Sequence, residues 1–170
     1  GQQYLDEPSM YQYVENGPEY VMTSVIVPVK DNKGKVIGVV GIDITLDQVQ
    51  KLIADVKPFE TGFGFILSNA GYFLAHPQKE NSFKTFSELY PEVEKEHGIM
   101  DAILKGRETQ YEDSSITGSN NLIELFPITI GETTTPWMVG VGIPEDKIMA
   151  SVNNMILISV ISGVLLIILI

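Results

Sequence analysis

The C-terminal end of the sequence is the longest stretch without a charged side chain. No Asp, Glu, Lys or Arg follows Lys147, and residues 155–170 are apolar except for Ser159, Ser162 and one glycine. A helix needs about 20 mainly apolar residues to cross a bilayer. A buried helix of a globular domain is the alternative, but such a helix normally keeps a polar stripe. We therefore expect a transmembrane helix that continues beyond Ile170.

The chain as a whole is acidic and contains no cysteine. Its 170 residues include 22 Asp and Glu against 11 Lys and Arg, for a formal net charge of −11. Such a surface repels phosphate backbones, so we expect no nucleic-acid partner. The lack of cysteine excludes disulfides, thiolate metal sites and a Cys nucleophile. The chain starts at Gly1 without a signal-peptide pattern, and we expect further residues upstream.

The first third of the sequence predicts an antiparallel hairpin followed by a helix. Two β-branched runs, residues 20–29 and 36–44, flank a turn that contains Asn and Gly. Thr45 and Gln48 have the spacing of a capping box, and apolar residues then recur at helical spacing. Residues 57–62 read as a linker.

The second unit repeats this order with more elements. Two apolar runs flank the turn at residues 69–71, and an amphipathic stretch broken by Pro91 and Gly98 predicts short helices. Three further strands are expected at residues 108–113, 121–129 and 137–143. We expect a last helix to begin with Pro144 at its first position. Antiparallel strands with segregated helices predict the α+β class.

Three segments together resemble a known family. They are "EYVMTSVIVPVKDNKGKVIGVVGIDITLDQVQKLI", "ETGFGFILSNAGYFLAHP" and "WMVGVGIPEDKI". In order and spacing they resemble the double-Cache (dCache) sensor domain of bacterial and archaeal transmembrane receptors, especially methyl-accepting chemotaxis proteins. The resemblance implies two PAS-like lobes with antiparallel sheets, placed outside the cytoplasm and followed by a helix that enters the cell membrane.

The resemblance also implies a division of the chain. Residues 1–57 would be the C-terminal part of the membrane-distal lobe, whose N-terminal part lies upstream of Gly1. Residues 58–144 would form the membrane-proximal lobe, and residues 145–170 a signalling helix that runs into the truncated transmembrane segment. A homodimer without catalytic activity, cofactor or metal is expected, with a small polar metabolite as its ligand.

Asp43 is unusual because it lies inside a run otherwise suited to a buried strand. Val39, Gly41 and Asp43 alternate onto one face of that strand. A carboxylate on a buried face costs several kcal/mol unless it finds hydrogen-bond donors. The resemblance implies that Asp43 binds the ammonium group of an amino acid or amine. The alternative is that Asp43 caps the start of the helix beside Thr45.

Aromatic side chains are expected around the same ligand. The resemblance points to Tyr11 first and Tyr13 second, although the Pro-Tyr pair common in the family is broken here. The alternative is that both tyrosines are loop residues packed on a neighbouring surface. The Arg- and Trp-containing segment that grips a ligand carboxylate in the family would precede Gly1, so a short acid or a purine stays open as the ligand.

Other functions were weighed against this one. His76 invites a metal or catalytic interpretation, but only His97 offers a second imidazole, and no nucleophile–base pattern occurs. We expect His76 to be structural. The same sensor on a histidine kinase or a cyclic-dinucleotide enzyme is the first alternative. A membrane-anchored hydrolase and an adhesive ectodomain follow.

Overall fold

The computed structural model describes residues 2–149, which form an α+β arrangement with two antiparallel sheets. This confirms the predicted fold class. The strands are β1 (Tyr4–Leu5), β2 (Ser9–Gln12), β3 (Glu19–Lys30), β4 (Val36–Thr45), β5 (Phe63–Leu67), β6 (Phe73–Ala75), β7 (Thr109–Asp113), β8 (Asn121–Ile128) and β9 (Trp137–Pro144). The α-helices are α1 (Leu46–Ala54), α2 (Phe86–Leu89), α3 (Pro91–His97) and α4 (Ile99–Leu104).

The first sheet is built on the long hairpin β3–β4. Strand β3 pairs with β4 along one edge, and with β1 and β2, one after the other, along the opposite edge. In the turn, Asp31 Oδ1 accepts the backbone N–H groups of Lys33 and Lys35, and Gly34 takes a φ of 78°. A glycine adopts this φ without steric cost. The predicted hairpin is confirmed.

Helix α1 follows β4 directly and carries the predicted N-terminal cap. The backbone N–H of Thr45 donates to Gln48 Oε1 at 3.1 Å. The inward face of α1 buries Leu46, Val49 and Ile53. These side chains belong to a cluster that also contains Leu5 from the first sheet and Ile66, Leu74, Ala75 and Trp137 from the second.

The second sheet has the strand order β6-β5-β9-β8-β7, with every pair antiparallel. Helices α2–α4 cover one face and enclose a second cluster, whose fully buried members include Phe65, Phe73, Phe86 and Ile103. The predicted helix breaks are seen, since Pro91 opens α3 and Gly98 separates α3 from α4 with a φ of 62°.

The two sheets share one buried cluster, so the division into lobes at residue 57 stays a prediction. The C-terminal end differs from the prediction in one respect. Pro144 is the last residue of β9, opposite Asn121, and residues 145–149 are helical. Among residues 2–149, no helix has the length and hydropathy of a membrane span. The predicted span, 155–170, lies outside the described residues.

Candidate ligand-binding site

One face of the first sheet brings the predicted site residues together. Asp43 on β4 pairs with Ser24 on β3, and Tyr11 on β2 pairs with Tyr20 on β3. Directly paired residues point to the same face, and that face recurs every second residue. Tyr20, Ser24, Tyr11 and Asp43 therefore share it, and Tyr13 reaches it from the loop after β2.

Both carboxylate oxygens of Asp43 accept a hydrogen bond from a neutral hydroxyl. Ser24 Oγ donates to Oδ1 at 2.6 Å, and Tyr13 Oη donates to Oδ2 at 2.8 Å. The Ser24 bond, followed by the Tyr13 bond, lowers the pKa of Asp43 below its ordinary value. The same contact with Asp43 raises the pKa of Tyr13. At neutral pH the site thus holds a fixed negative charge.

The hydrogen bonds of Asp43 show whether it caps the start of helix α1. Within residues 2–149, its oxygens accept from Ser24 and Tyr13, and no bond to the first turn of α1 is seen. Helix α1 is capped by Thr45 and Gln48 instead. Asp43 therefore stands on the sheet face and not at the helix start.

The exposure of Asp43 corrects one expectation. The apolar run predicted a buried strand, yet Asp43 is exposed, and Val39 and Ile42 beside it are 68% and 66% exposed. The reason is that the described residues cover neither face of β4 along its first eight positions, Val36 to Asp43. The carboxylate is accessible and needs no buried counter-charge.

A group of three tyrosines adjoins the carboxylate through Tyr13. The ring centroids of Tyr11 and Tyr13 lie 5.1 Å apart, and those of Tyr13 and Tyr20 lie 6.2 Å apart. Sequence reasoning named Tyr11 and Tyr13 but missed Tyr20 and Ser24. The signal that identifies them is the alternation along β3, which becomes informative only when the register with β2 and β4 is known.

The strand residues on either side of Asp43 and Ser24 carry no positive charge. Residues 1–29 and 36–50 include no Lys and no Arg. An anionic ligand would meet a carboxylate without a compensating cation, while a cationic ligand would meet a carboxylate and aromatic faces. Both features favour a cation.

His76 lies away from this face, in the second sheet. It is fully buried, its Nδ1 accepts the N–H of Gln78 at 2.9 Å, and its Nε2 lies 2.7 Å from the Tyr90 hydroxyl. Burial lowers the pKa of His76 to about 4. On the backbone side, His76 N–H donates to Gln50 Oε1 and its carbonyl accepts from Gln50 Nε2, at 3.0 and 2.9 Å. This arrangement fixes α1 to the second sheet.

The family is decided by comparison with known domains. The family model described as "Cache domain" (dCache_1) matches residues 1–152. The chain belongs to the Cache domain family. The resemblance to the sensor domains of chemotaxis receptors is confirmed, since this Cache domain is 25% identical over 155 residues to the methyl-accepting chemotaxis protein PctB of Pseudomonas aeruginosa. The match covers 91% of this chain and 22% of PctB.

Two solved structures have the same fold as this Cache domain. The extracellular domain of mmHK1S-Z3, described as a histidine kinase, is 25% identical with a TM-score of 0.70, covering 90% of this chain and 53% of that one. The ligand-binding domain of PctB from P. aeruginosa PAO1, solved with L-Arg, is 24% identical with a TM-score of 0.59, covering 88% and 57%. The chain thus spans about half of these domains.

Proposed function

We propose that this Cache domain is an extracytoplasmic sensor of a small polar metabolite with an ammonium group, an amino acid or an amine, in a transmembrane chemoreceptor. Asp43 binds the ammonium group, and Tyr11 and Tyr13 form the walls of the site. The observation that carries the proposal is the accessible carboxylate of Asp43, oriented by two hydroxyl groups and set among residues 19–29 and 36–50, which include no Lys or Arg.

The chemistry of the site suits an ammonium ion. Each carboxylate oxygen has lone pairs beyond the one used by Ser24 or Tyr13, and an ammonium group offers three donors. Hydrogen bonds between two charged groups are shorter and stronger than neutral ones. A cation over a tyrosine face gains about 0.5–2 kcal/mol more. L-Arg, the ligand named for the PctB domain, carries such a group.

The signal is passed from the site through helix α1, which lies shortly after Asp43 in the chain. Helix α1 begins three residues after Asp43 and is hydrogen-bonded through Gln50 to the backbone of His76. A ligand that prefers one placement of β4 therefore also favours one placement of α1 on the second sheet. The helix that starts at residue 145 passes this difference towards the membrane, within a homodimer and without catalysis.

A second candidate is the same sensor on a histidine kinase. The TM-score of 0.70 to the mmHK1S-Z3 extracellular domain favours it. The two candidates share the ligand site and differ only in output. Incubation of the full-length protein with radiolabelled ATP distinguishes them, because a kinase labels itself on histidine and a chemoreceptor does not.

The ligand proposal is tested by a thermal-shift screen of the full-length protein against amino acids, amines and carboxylates. We expect compounds that carry an ammonium group to raise the melting temperature, and Asp43→Asn to abolish this rise. Asp55→Asn is the matched control, because Asp55 is an exposed carboxylate at the far end of α1. A screen in which only anions bind, or in which Asp43→Asn binds cations as wild type does, contradicts the proposal.

A further inference from the structure

We propose that Gly41 opens a subsite for an apolar chain on the ligand, so that the Asp43 site selects amines with an alkyl tail over small hydrophilic ones. This inference rests on the proposed function. Gly41 precedes Asp43 on the same face of β4, with one residue between them, and pairs with Ile26 on β3. Two residues along a strand span about 7 Å.

The backbone does not require a glycine at this position. Gly41 has no positive φ, and its pairing with Ile26 lies within an unbroken part of the β3–β4 register. A Cβ built on Gly41 would come no closer than 3.7 Å to any atom outside its immediate chain neighbours, which is an ordinary contact. Glycine weakens a strand, and a glycine that a strand does not need often marks close approach of a ligand.

The surface around Gly41 is apolar. Ile26 lies directly across on β3, and Val39 and Pro28 form the next pair on the same face. Tyr4 on β1 pairs with Ile26 from the other side and is half exposed. Asp43 thus stands between a tyrosine group on one side and this apolar strip, defined by Tyr4, Ile26, Pro28 and Val39, on the other.

An alkylamine matches both parts of this surface. Its ammonium group binds Asp43, and its chain lies over the bare backbone at Gly41 against Ile26 and Val39. Each methylene removed from water should strengthen binding about fourfold. A side chain at position 41 occupies the same space, so it removes this gain while the ammonium contact at Asp43 is kept.

Gly38 provides a matched control on the same strand. It lies on the opposite face of β4, and a Cβ built there meets nothing within 4 Å. Gly38→Val therefore adds the same side chain to the same strand, outside the proposed subsite. Gly41→Ala serves as a second, milder variant in case Gly41→Val does not fold, since the structure accommodates its Cβ.

The experiment is calorimetric titration of the purified full-length protein with n-alkylamines from methylamine to hexylamine. Wild type and Gly38→Val should bind more tightly with each methylene, about fourfold per step over the first few carbons. Gly41→Val should bind methylamine within about twofold of wild type and show a flat series, with Gly41→Ala between them.

The outcomes separate the two proposals. If wild type binds methylamine through Asp43 but gains nothing from longer chains, or if Gly41→Val and Gly41→Ala keep the full gain, the alkyl subsite is wrong and the ammonium site stands. If Asp43→Asn binds the whole series unchanged, or if wild type binds neither these amines nor any amino acid or amine of the thermal-shift screen, the proposed function itself is wrong.

Discussion

Ser24 and Asp43 face each other across β3 and β4, with the hydroxyl oxygen of Ser24 2.6 Å from Oδ1 of Asp43. The contact joins two residues from neighbouring strands that would otherwise be independent surface side chains. It orients the carboxylate towards the tyrosines and stabilises its ionised form. Ser24 is therefore a positioning residue for the proposed ammonium site.

Replacing Ser24 by Ala should change the pH dependence of amine binding. The hydrogen bond lowers the pKa of Asp43, so wild type stays ionised, and binds, as the pH falls past the ordinary range of an aspartate. Without the bond, the pKa returns towards its ordinary value and binding is lost at a higher pH. Amine affinity measured from about pH 7 to about pH 3 checks this. Ser9→Ala on the same sheet is the control, and an unchanged midpoint in Ser24→Ala contradicts the role.

Tyr11 should contribute through its aromatic ring. Tyr11→Phe keeps the face that attracts a cation and should bind amines about as wild type does. Tyr11→Leu removes the face and should weaken binding roughly fivefold, equivalent to about 1 kcal/mol. Calorimetry on the two variants measures the difference. Equal amine affinities of Tyr11→Phe and Tyr11→Leu would show that the ring of Tyr11 does not contribute to the site.

Gln50 should be important for stability although it lies on a helix surface. Its amide exchanges two hydrogen bonds with the backbone of His76, and Oε1 also accepts from Ser82 Oγ at 3.1 Å. Gln50→Ala leaves the backbone groups of His76 without these partners and should cost about 1–3 kcal/mol in the free energy of unfolding. Lys51→Ala, at the next and exposed position of α1, should change it little. Urea unfolding of both variants provides the comparison.

His76 should make the protein less stable in mild acid. Burial lowers its folded-state pKa to about 4 from an ordinary value of 6.5. Between these two values the unfolded chain binds the proton and the folded chain does not, so the free energy of unfolding falls as the pH falls. The contribution is at most about 1.4 kcal/mol per pH unit.

The measurement for His76 is the slope of unfolding free energy against pH, compared with that of His76→Asn. The variant should show a shallower slope across this range, whatever its absolute stability. His97→Asn is the control, since His97 is only partly buried and stacks on Tyr111. Parallel curves for wild type and His76→Asn would show that the imidazole does not titrate as expected.

Gly140 should not accept a side chain, unlike the glycines of β4. A Cβ at this position would overlap the ring of Phe65, which is fully buried in the core of the second sheet. Gly140→Ala should therefore destabilise the fold by about 1–3 kcal/mol through overpacking. Gly38→Ala, where a Cβ meets nothing, is the control. Thermal unfolding of the two variants tests the contrast, and similar melting temperatures would contradict it.

Much of the fold could be predicted because its signals are local. The hairpin β3–β4 follows from two β-branched runs around a turn that needs a positive φ at Gly34. The start of α1 follows from Thr45 and Gln48, which lie three residues apart. Pro144 shows the limit of such signals. Proline has no backbone N–H, which is tolerated both in the first turn of a helix and at the end of a strand. In the structure Pro144 pairs with Asn121 and therefore ends strand β9.

The candidate site was only partly predictable, because its contacts join distant parts of the chain. Asp43, Tyr11 and Tyr13 were named from the sequence and lie together in the structure, and their role in binding stays a proposal. Ser24 and Tyr20 were missed because a serine and a tyrosine within a strand pattern carry no signal until the register shows which face they share. Tyr13 and Asp43 lie 30 positions apart in the sequence, and the pairing of the strands brings them together.

The sequence by itself determined the class of the fold, the hairpins, the capped helix and the family, because each depends on residues close together in the chain. The tertiary structure decided that Asp43 is exposed, that Ser24 and Tyr13 orient it, and that Gln50 holds α1 against the second sheet. These facts depend on register and on which surfaces meet. Both are set by the packing of the whole chain, where a shift of one residue would turn every side chain of β4 to the other face.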